Sequence, residues 1–253
     1  MALIFSAPLT ATVEDFDAAQ AVGLSVDPRG LSAPIPNHLE INTAPDGSSA
    51  LMSRITPTDA ETYGGIRSEI DYVPEANAER WYVWEVYFPD SFQTTDMLTF
   101  MQIHDSPDGG ESPVKYPNFE FLTQSGMVFC TVPIDCPNET SANGRFPRQQ
   151  RAPLITGRWV QCALHANWGT DSSGFLEVYY DGKLLAKEWS RACGYSDAVG
   201  PYWKLGLYDF SHAGLTSEAR AWYRNAKLYS TGHTAFGVLG VNPQPTSLTQ
   251  ADA

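Results

Sequence analysis

Apolar and polar residues alternate along short segments through most of the chain. The clearest case is YWKLGLYDF, residues 202–210, where Trp203, Leu205 and Leu207 form one apolar stripe. Tyr202, Lys204, Gly206 and Tyr208 take the opposite face, because successive side chains of a strand point to opposite sides. Strand patterns of this kind run through IRSEIDYV, RWYVWEVYFP, LTFMQIHD, NFEFLTQ, RWVQCALHANW, FLEVYYDGKLL and ARAWYRNAKLYS. Between them stand turn signals such as APDGSS, FPDSF, SPDGGESP, TQSG and SHAG, and YYDGKLL carries the Asp-Gly pair of a tight hairpin. PTDAET and TSEARAWY each predict one helical turn at most. Many short strands without a long helical period predict an all-β sandwich or jelly roll.

Two segments break this rhythm. Residues 133–157 form a long Pro-, Asn- and Arg-rich connection that holds Arg145, Arg148 and Arg151. Connections of that length in a compact domain are usually functional or disordered. Residues 241–253, NPQPTSLTQADA with the preceding Val, read as a C-terminal tail after a single domain over 1–240.

Composition narrows the function. The net charge is −13 over 253 residues, which opposes nucleic-acid binding, where clustered Lys and Arg must neutralise phosphates. An anionic substrate then needs a local basic site, and the three loop arginines are candidates to flank one. No apolar run reaches the ~18 residues of a membrane span. The opening MALIFSAPLTATVEDFDAAQ lacks a basic n-region and reads as no signal peptide, so extracellular action implies lysis or incorporation in a particle. The four cysteines contain no CxxC pair, which argues against zinc; Cys130 and Cys136 are close enough in sequence to bridge a loop, or remain thiols.

Three motifs carry candidate chemistry. In RSEI, Arg67 and Glu69 share a face; in QIH, Gln102 and His104 share a face; the third is the strand at 202–210. Singly, Arg67 with Glu69 reads as a surface ion pair and His104 as a loop-edge histidine. In one sheet, they present a guanidinium, an amide, an imidazole, an ammonium and two phenols together. Abstraction of the C5 proton of a uronic acid wants such a set. Donors must neutralise the sugar carboxylate and the charge that develops on it, a base must take the proton, and an acid must protonate the departing oxygen at C4.

RSE, QIH and YWKLGLY resemble, in this order, the signature strands of the jelly-roll polysaccharide lyases: alginate lyases, glucuronan lyases and heparin lyase I. RWVQCALHANW and GFLEVYYDGKLL resemble a run of the heparin and glucuronan branch. The resemblance covers roughly residues 50 to 230. It implies a β-jelly roll of two antiparallel sheets with a concave groove, acting on an acidic polysaccharide by β-elimination without a cofactor or metal. It also implies His104 and Tyr208 as the proton-transfer pair, Gln102 and Arg67 on the carboxylate, and Lys204 supporting Tyr208. Glu69, Tyr202, Arg145, Arg148 and Arg151 are expected to contact substrate, Tyr202 also being the fallback tyrosine. Gly206 is expected to let a sugar approach the backbone. YDF at 208–210 departs from the Y-N-Q of alginate lyases, which weakens alginate as the substrate more than lyase chemistry.

Other classes remain open at this point. A non-catalytic carbohydrate-binding module, such as a capsule-gripping spike among the subunits of a phage-like particle, needs no intact proton-transfer set. A glycoside hydrolase needs two opposed carboxylates, for which Glu69 and Glu120 are the candidates. Asp105, Asp108 and Glu111 are acidic enough to suggest calcium, but without the spacing of an EF-hand.

Overall fold

The computed structural model describes residues 3–7, 24–26, 38–61, 64–72, 78–92, 97–106, 108, 117–131, 150–190, 192–210, 215–230 and 234–240. In chain order the strands are β1 (Leu3–Ala7), β2 (Leu24–Val26), β3 (Leu39–Thr43), β4 (Ser49–Ile55), β5 (Ile66–Tyr72), β6 (Glu79–Tyr87), β7 (Leu98–Ser106) and β8 (Phe119–Gln124). They continue with β9 (Met127–Thr131), β10 (Gln150–Pro153), β11 (Trp159–Asn167), β12 (Phe175–Tyr180), β13 (Lys183–Trp189), β14 (Val199–Asp209) and β15 (Ala219–Tyr229), followed by the short helix α1 (Ala235–Leu239).

The strands form two antiparallel sheets. One has the order β13-β12-β11-β6-β15-β4-β3, with β1 also on β15; the other runs β10-β9-β8-β7-β14-β5-β2. The three motif strands are therefore neighbours, with β14 between β7 and β5. This is the jelly-roll sandwich that the alternating pattern predicts.

The core lies between the sheets and is rich in aromatic rings. Trp84 meets Trp203 and Phe121 edge-on at 5.8 Å each, and Phe88 meets Phe100 at 5.2 Å, geometries that rings prefer to flat stacking. Two of the buried rings are tied by hydrogen bonds: Trp168 Nε1 donates to Tyr82 Oη at 2.9 Å, and Tyr223 Oη to the Phe100 carbonyl at 3.0 Å. The central strand β6 is buried on both faces. Tyr82, Trp84 and Val86 enter the main core, while Trp81 and Val83 pack with Tyr179 and Leu239 of α1.

Several local expectations change. TSEARAWY holds no helical turn, because Ala219 onward pairs with β4 and β6 as β15. PTDAET makes one turn, in which Asp59 N donates to the Thr56 carbonyl at 3.1 Å. Part of the 133–157 connection is a strand: β10 pairs with β9, with Arg151 opposite Phe129. The Asp181-Gly182 hairpin forms as predicted, with φ of 54° and 69° at the two turn residues. Residues 241–253 lie outside the described residues.

Candidate active site

The site is one face of the second sheet. Residues directly opposite each other in an antiparallel pair share a face, so the register builds rows across the strands. One row runs Thr131, Glu120, Gln102, Lys204, Asp71 from β9 to β5. A second pairs His104 with Tyr202, and a third sets Glu69 against Gly206. A fourth runs Arg151, Phe129, Leu122, Thr99, Tyr208, Arg67. All five residues expected to carry the chemistry lie on this face.

Glu69 is its hub. The Gln102 amide donates to Glu69 Oε1 at 2.5 Å, Lys204 Nζ lies 2.9 Å from Oε2, and Arg67 Nη1 lies 3.5 Å from the same oxygen. Asp71 adds a second carboxylate 3.8 Å from Lys204. Glu69 is 2 % exposed and Lys204 1 %. The surface-pair reading of Arg67 and Glu69 is thereby corrected: two charges that far from water persist only when paired and hydrogen-bonded. The Glu69 carboxylate, expected to contact substrate, is engaged by three internal partners. Burial alone pushes the Lys204 ammonium down, but the Glu69 and Asp71 carboxylates overcome this and raise its pKa.

His104 is 23 % exposed at its side chain, and its Nδ1 sits 2.9 Å from Asp105 Oδ1. Nδ1 also lies 3.1 Å from the Asp105 carbonyl oxygen; both neighbours only accept, so Nδ1 is the donor, and in the neutral form of the ring Nε2 holds the lone pair. The imidazole lies beside Tyr202, with ring centroids 5.6 Å apart. Tyr208 stands three side-chain positions farther along the same face of β14. The Arg67 guanidinium lies 4.0 Å over its ring, and its hydroxyl donates to the Gly64 carbonyl at 3.4 Å. Burial raises the Tyr208 pKa, opposed by Arg67 and, more weakly, Lys204. The cation field expected to favour its phenolate therefore loses to desolvation, and the phenol keeps its proton.

Gly206 has a different purpose from the one expected. A Cβ there would lie 2.1 Å from the Ser68 carbonyl oxygen and 2.6 Å from Glu69 Cα, and its φ is +144°. The missing side chain admits the backbone of β5, not a sugar. The register between β14 and β7 shifts between Leu205 and Tyr208, the mark of a β-bulge, which re-aims the side chains that follow. From β4 in the other sheet, the Ser53 hydroxyl donates to the Ser68 carbonyl at 2.6 Å and accepts from Leu207 N at 2.9 Å. Sequence reasoning passed over Ser53, and also Gly65, where a Cβ would meet the Tyr208 ring at 2.4 Å. The Gly-Gly before IRSE was the available signal.

The remaining candidates divide. Arg151 is exposed on edge strand β10, on the same face as Gln102, with its guanidinium 4.9 Å from the Phe129 ring centroid. Arg145, Arg148, Cys136 and Glu111 lie outside the described residues. Asp108 accepts from Ala198 N at 3.1 Å, Asp105 faces His104, and no metal-binding group of acidic, His or Cys side chains occurs among the described residues. Cys130 is buried in the core. Glu120, considered only as a hydrolase carboxylate, sits in the first row beside Gln102; Thr99 donates to it at 3.2 Å and Thr131 at 3.4 Å. Glu69, held by cations, offers no opposing free carboxylate, so the hydrolase pair is not assembled.

Comparison with known proteins agrees with this geometry. The family model described as polysaccharide lyase matches residues 36–227. No curated protein matches the chain by sequence. Among solved structures, an endo-β-1,4-glucuronan lyase from the fungus Trichoderma reesei superposes with a TM-score of 0.62 at 21% identity, covering 76% of this chain and 86% of that one. An alginate lyase from Pseudomonas aeruginosa gives 0.55 at 16%, covering 78% and 87%. An alginate lyase from a Chlorella virus gives 0.53 at 13%, covering 76% and 88%. At these identities the structural likeness speaks for the fold, while the family match spans most of the sequence: the chain belongs to the polysaccharide lyases.

Proposed function

We propose that this lyase cleaves a uronate-containing polysaccharide by β-elimination on the polar face of the second sheet. The observation that carries the reading is the register itself, which lines up Arg67, Gln102, His104, Lys204 and Tyr208 on three adjacent strands. Arg67 and the second N–H of Gln102 bind the sugar carboxylate, drawing charge from C5 as the proton leaves. His104 Nε2 accepts that proton. Tyr208, still protonated near neutrality, donates to the departing oxygen at C4, and a C4–C5 double bond forms. Lys204 and Glu69 hold the donors in place from beneath. Arg151, on the same face at the far edge strand, adds positive charge for a polyanionic chain that the net charge of −13 would otherwise repel.

A second reading places Tyr202 in the acid role, favoured by its 5.6 Å contact with His104. No feature of the described residues carries the particle-subunit alternative.

The test offers purified protein glucuronan, alginate, heparin-type and bacterial capsular polysaccharides and follows the ultraviolet absorbance of the unsaturated uronate. New absorbance with at least one substrate is expected; silence across the panel overturns the reading. Tyr208→Phe should lower kcat by about a hundredfold or more, the scale of a lost proton-transfer group, with the melting temperature kept. Loss in Tyr202→Phe with Tyr208→Phe intact assigns the acid to Tyr202 instead.

A further inference from the structure

Glu120 is a buried titratable group that this mechanism leaves unused. It lies on β8 directly opposite Gln102 of β7, on the same face, where opposed Cβ atoms are about 5 Å apart. Only 5 % of it is exposed. Its two oxygens accept from Thr99 and Thr131, and among the described residues no cation pairs with it. That contrasts with Glu69, one row away, which takes Lys204 and Arg67.

The second observation lies on Gln102. Its amide nitrogen is committed to Glu69, while its Oε1, buried in a residue 1 % exposed, meets no donor among the described side chains. An orphaned buried acceptor leaves its desolvation uncompensated. A neutral carboxyl directly across the strand has the O–H that this oxygen lacks.

We infer that Glu120 is a positioning residue that carries a proton and donates it in a hydrogen bond to Gln102 Oε1. The bond locks the carboxamide with its nitrogen toward Glu69 and the substrate carboxylate, and polarises its N–H groups as donors. This use of Gln102 rests on the lyase reading above; the protonation and the hydrogen bond do not.

The charged surroundings agree. His104 from β7, Lys204 and Tyr208 from β14, and Arg67 and Glu69 from β5 face this region. Desolvation raises the Glu120 carboxyl to about 7, helped by the Glu69 charge and opposed by His104 and the two threonine hydroxyls. Ionised Glu120 would turn acceptor-only and repel Gln102 Oε1, so the lock opens as pH rises.

Difference infrared spectroscopy of wild type minus Glu120→Gln, without substrate, tests the inference at about pH 5 and about pH 9, on either side of that pKa. The expected spectrum shows a protonated-carboxyl C=O band at the lower pH that gives way to carboxylate bands at the higher. In a Gln102→Met background the C=O band should move to higher frequency, its acceptor gone. Carboxylate bands alone at the lower pH, or a C=O band indifferent to Gln102→Met, would overturn it. In turnover, Glu120→Leu should lower kcat by about tenfold to a hundredfold, and Glu120→Gln, which keeps a neutral donor, should recover most of that loss and flatten the alkaline fall. If Glu120→Gln is as damaged as Glu120→Leu, the neutral-donor role is wrong. If wild type cleaves nothing, the lyase reading fails while the infrared result still stands.

Discussion

At the scale of single residues, the active face is set by what it hides. Lys204 is an ammonium held out of water by the two carboxylates of Glu69 and Asp71. Gly206 is a backbone allowance: its φ of +144° and the 2.1 Å approach of the Ser68 carbonyl exclude any side chain. Gly206→Ala should therefore push β5 away from β14, displacing Arg67 and Glu69 together. Both offending atoms are backbone, so no rotamer change relieves the clash, and a loss of at least about 2 kcal/mol is expected. Equilibrium denaturation measures the stability, and kcat should fall with it. A variant of unchanged stability would show that the bulge does not require glycine.

At the scale of elements, the strands that form the site were legible because each has a clean period of two. In β14, Trp203, Leu205 and Leu207 face the core and Tyr202, Lys204 and Tyr208 face away, as the alternation requires. What alternation cannot report is depth: it separates two faces without saying that the polar one lies among buried neighbours. Arg67 with Glu69 therefore read as a surface pair. Nor does it report bulges, since one extra residue is invisible until the partner strand is known. β4 was missed because SALMSRI mixes apolar and polar residues on both faces and so lacks a clean period of two, and it joins the sheets through Ser53. That hydroxyl satisfies a carbonyl and an amide at the bulge, so Ser53→Ala should cost about 1–3 kcal/mol with no change of core volume beyond one oxygen. Urea denaturation of this variant beside Ser49→Ala, an exposed serine on the same strand, separates the buried bridge from a generic effect. Equal midpoints would refute the bridge.

At the scale of the whole molecule, two glutamates on opposite sheets pull stability in opposite directions with pH. On the first sheet, Glu177 accepts from His165 at 3.1 Å and pairs with Lys187 at 2.9 Å. The His165 hydrogen bond leads in holding its carboxyl down at about 2, against an ordinary value of 4.5. Between those values the unfolded chain binds the extra proton, so this contribution is fully present above about pH 4.5 and is lost as pH falls toward 2. On the second sheet, Glu120 is raised to about 7, and between 4.5 and 7 the folded chain binds the extra proton. Its ionisation therefore takes stability away as pH rises through that window, by about 3 kcal/mol once complete. Glu120→Gln should stabilise the protein above pH 7 and change little below pH 4.5. Glu177→Gln should weaken it near neutrality and blunt the acid fall. The net charge of −13 adds a common repulsion at alkaline pH, which the variant-minus-wild-type difference removes. Denaturant midpoints taken across this range decide the matter: parallel curves for wild type and Glu120→Gln would mean that Glu120 ionises as readily in the folded chain as in the unfolded one.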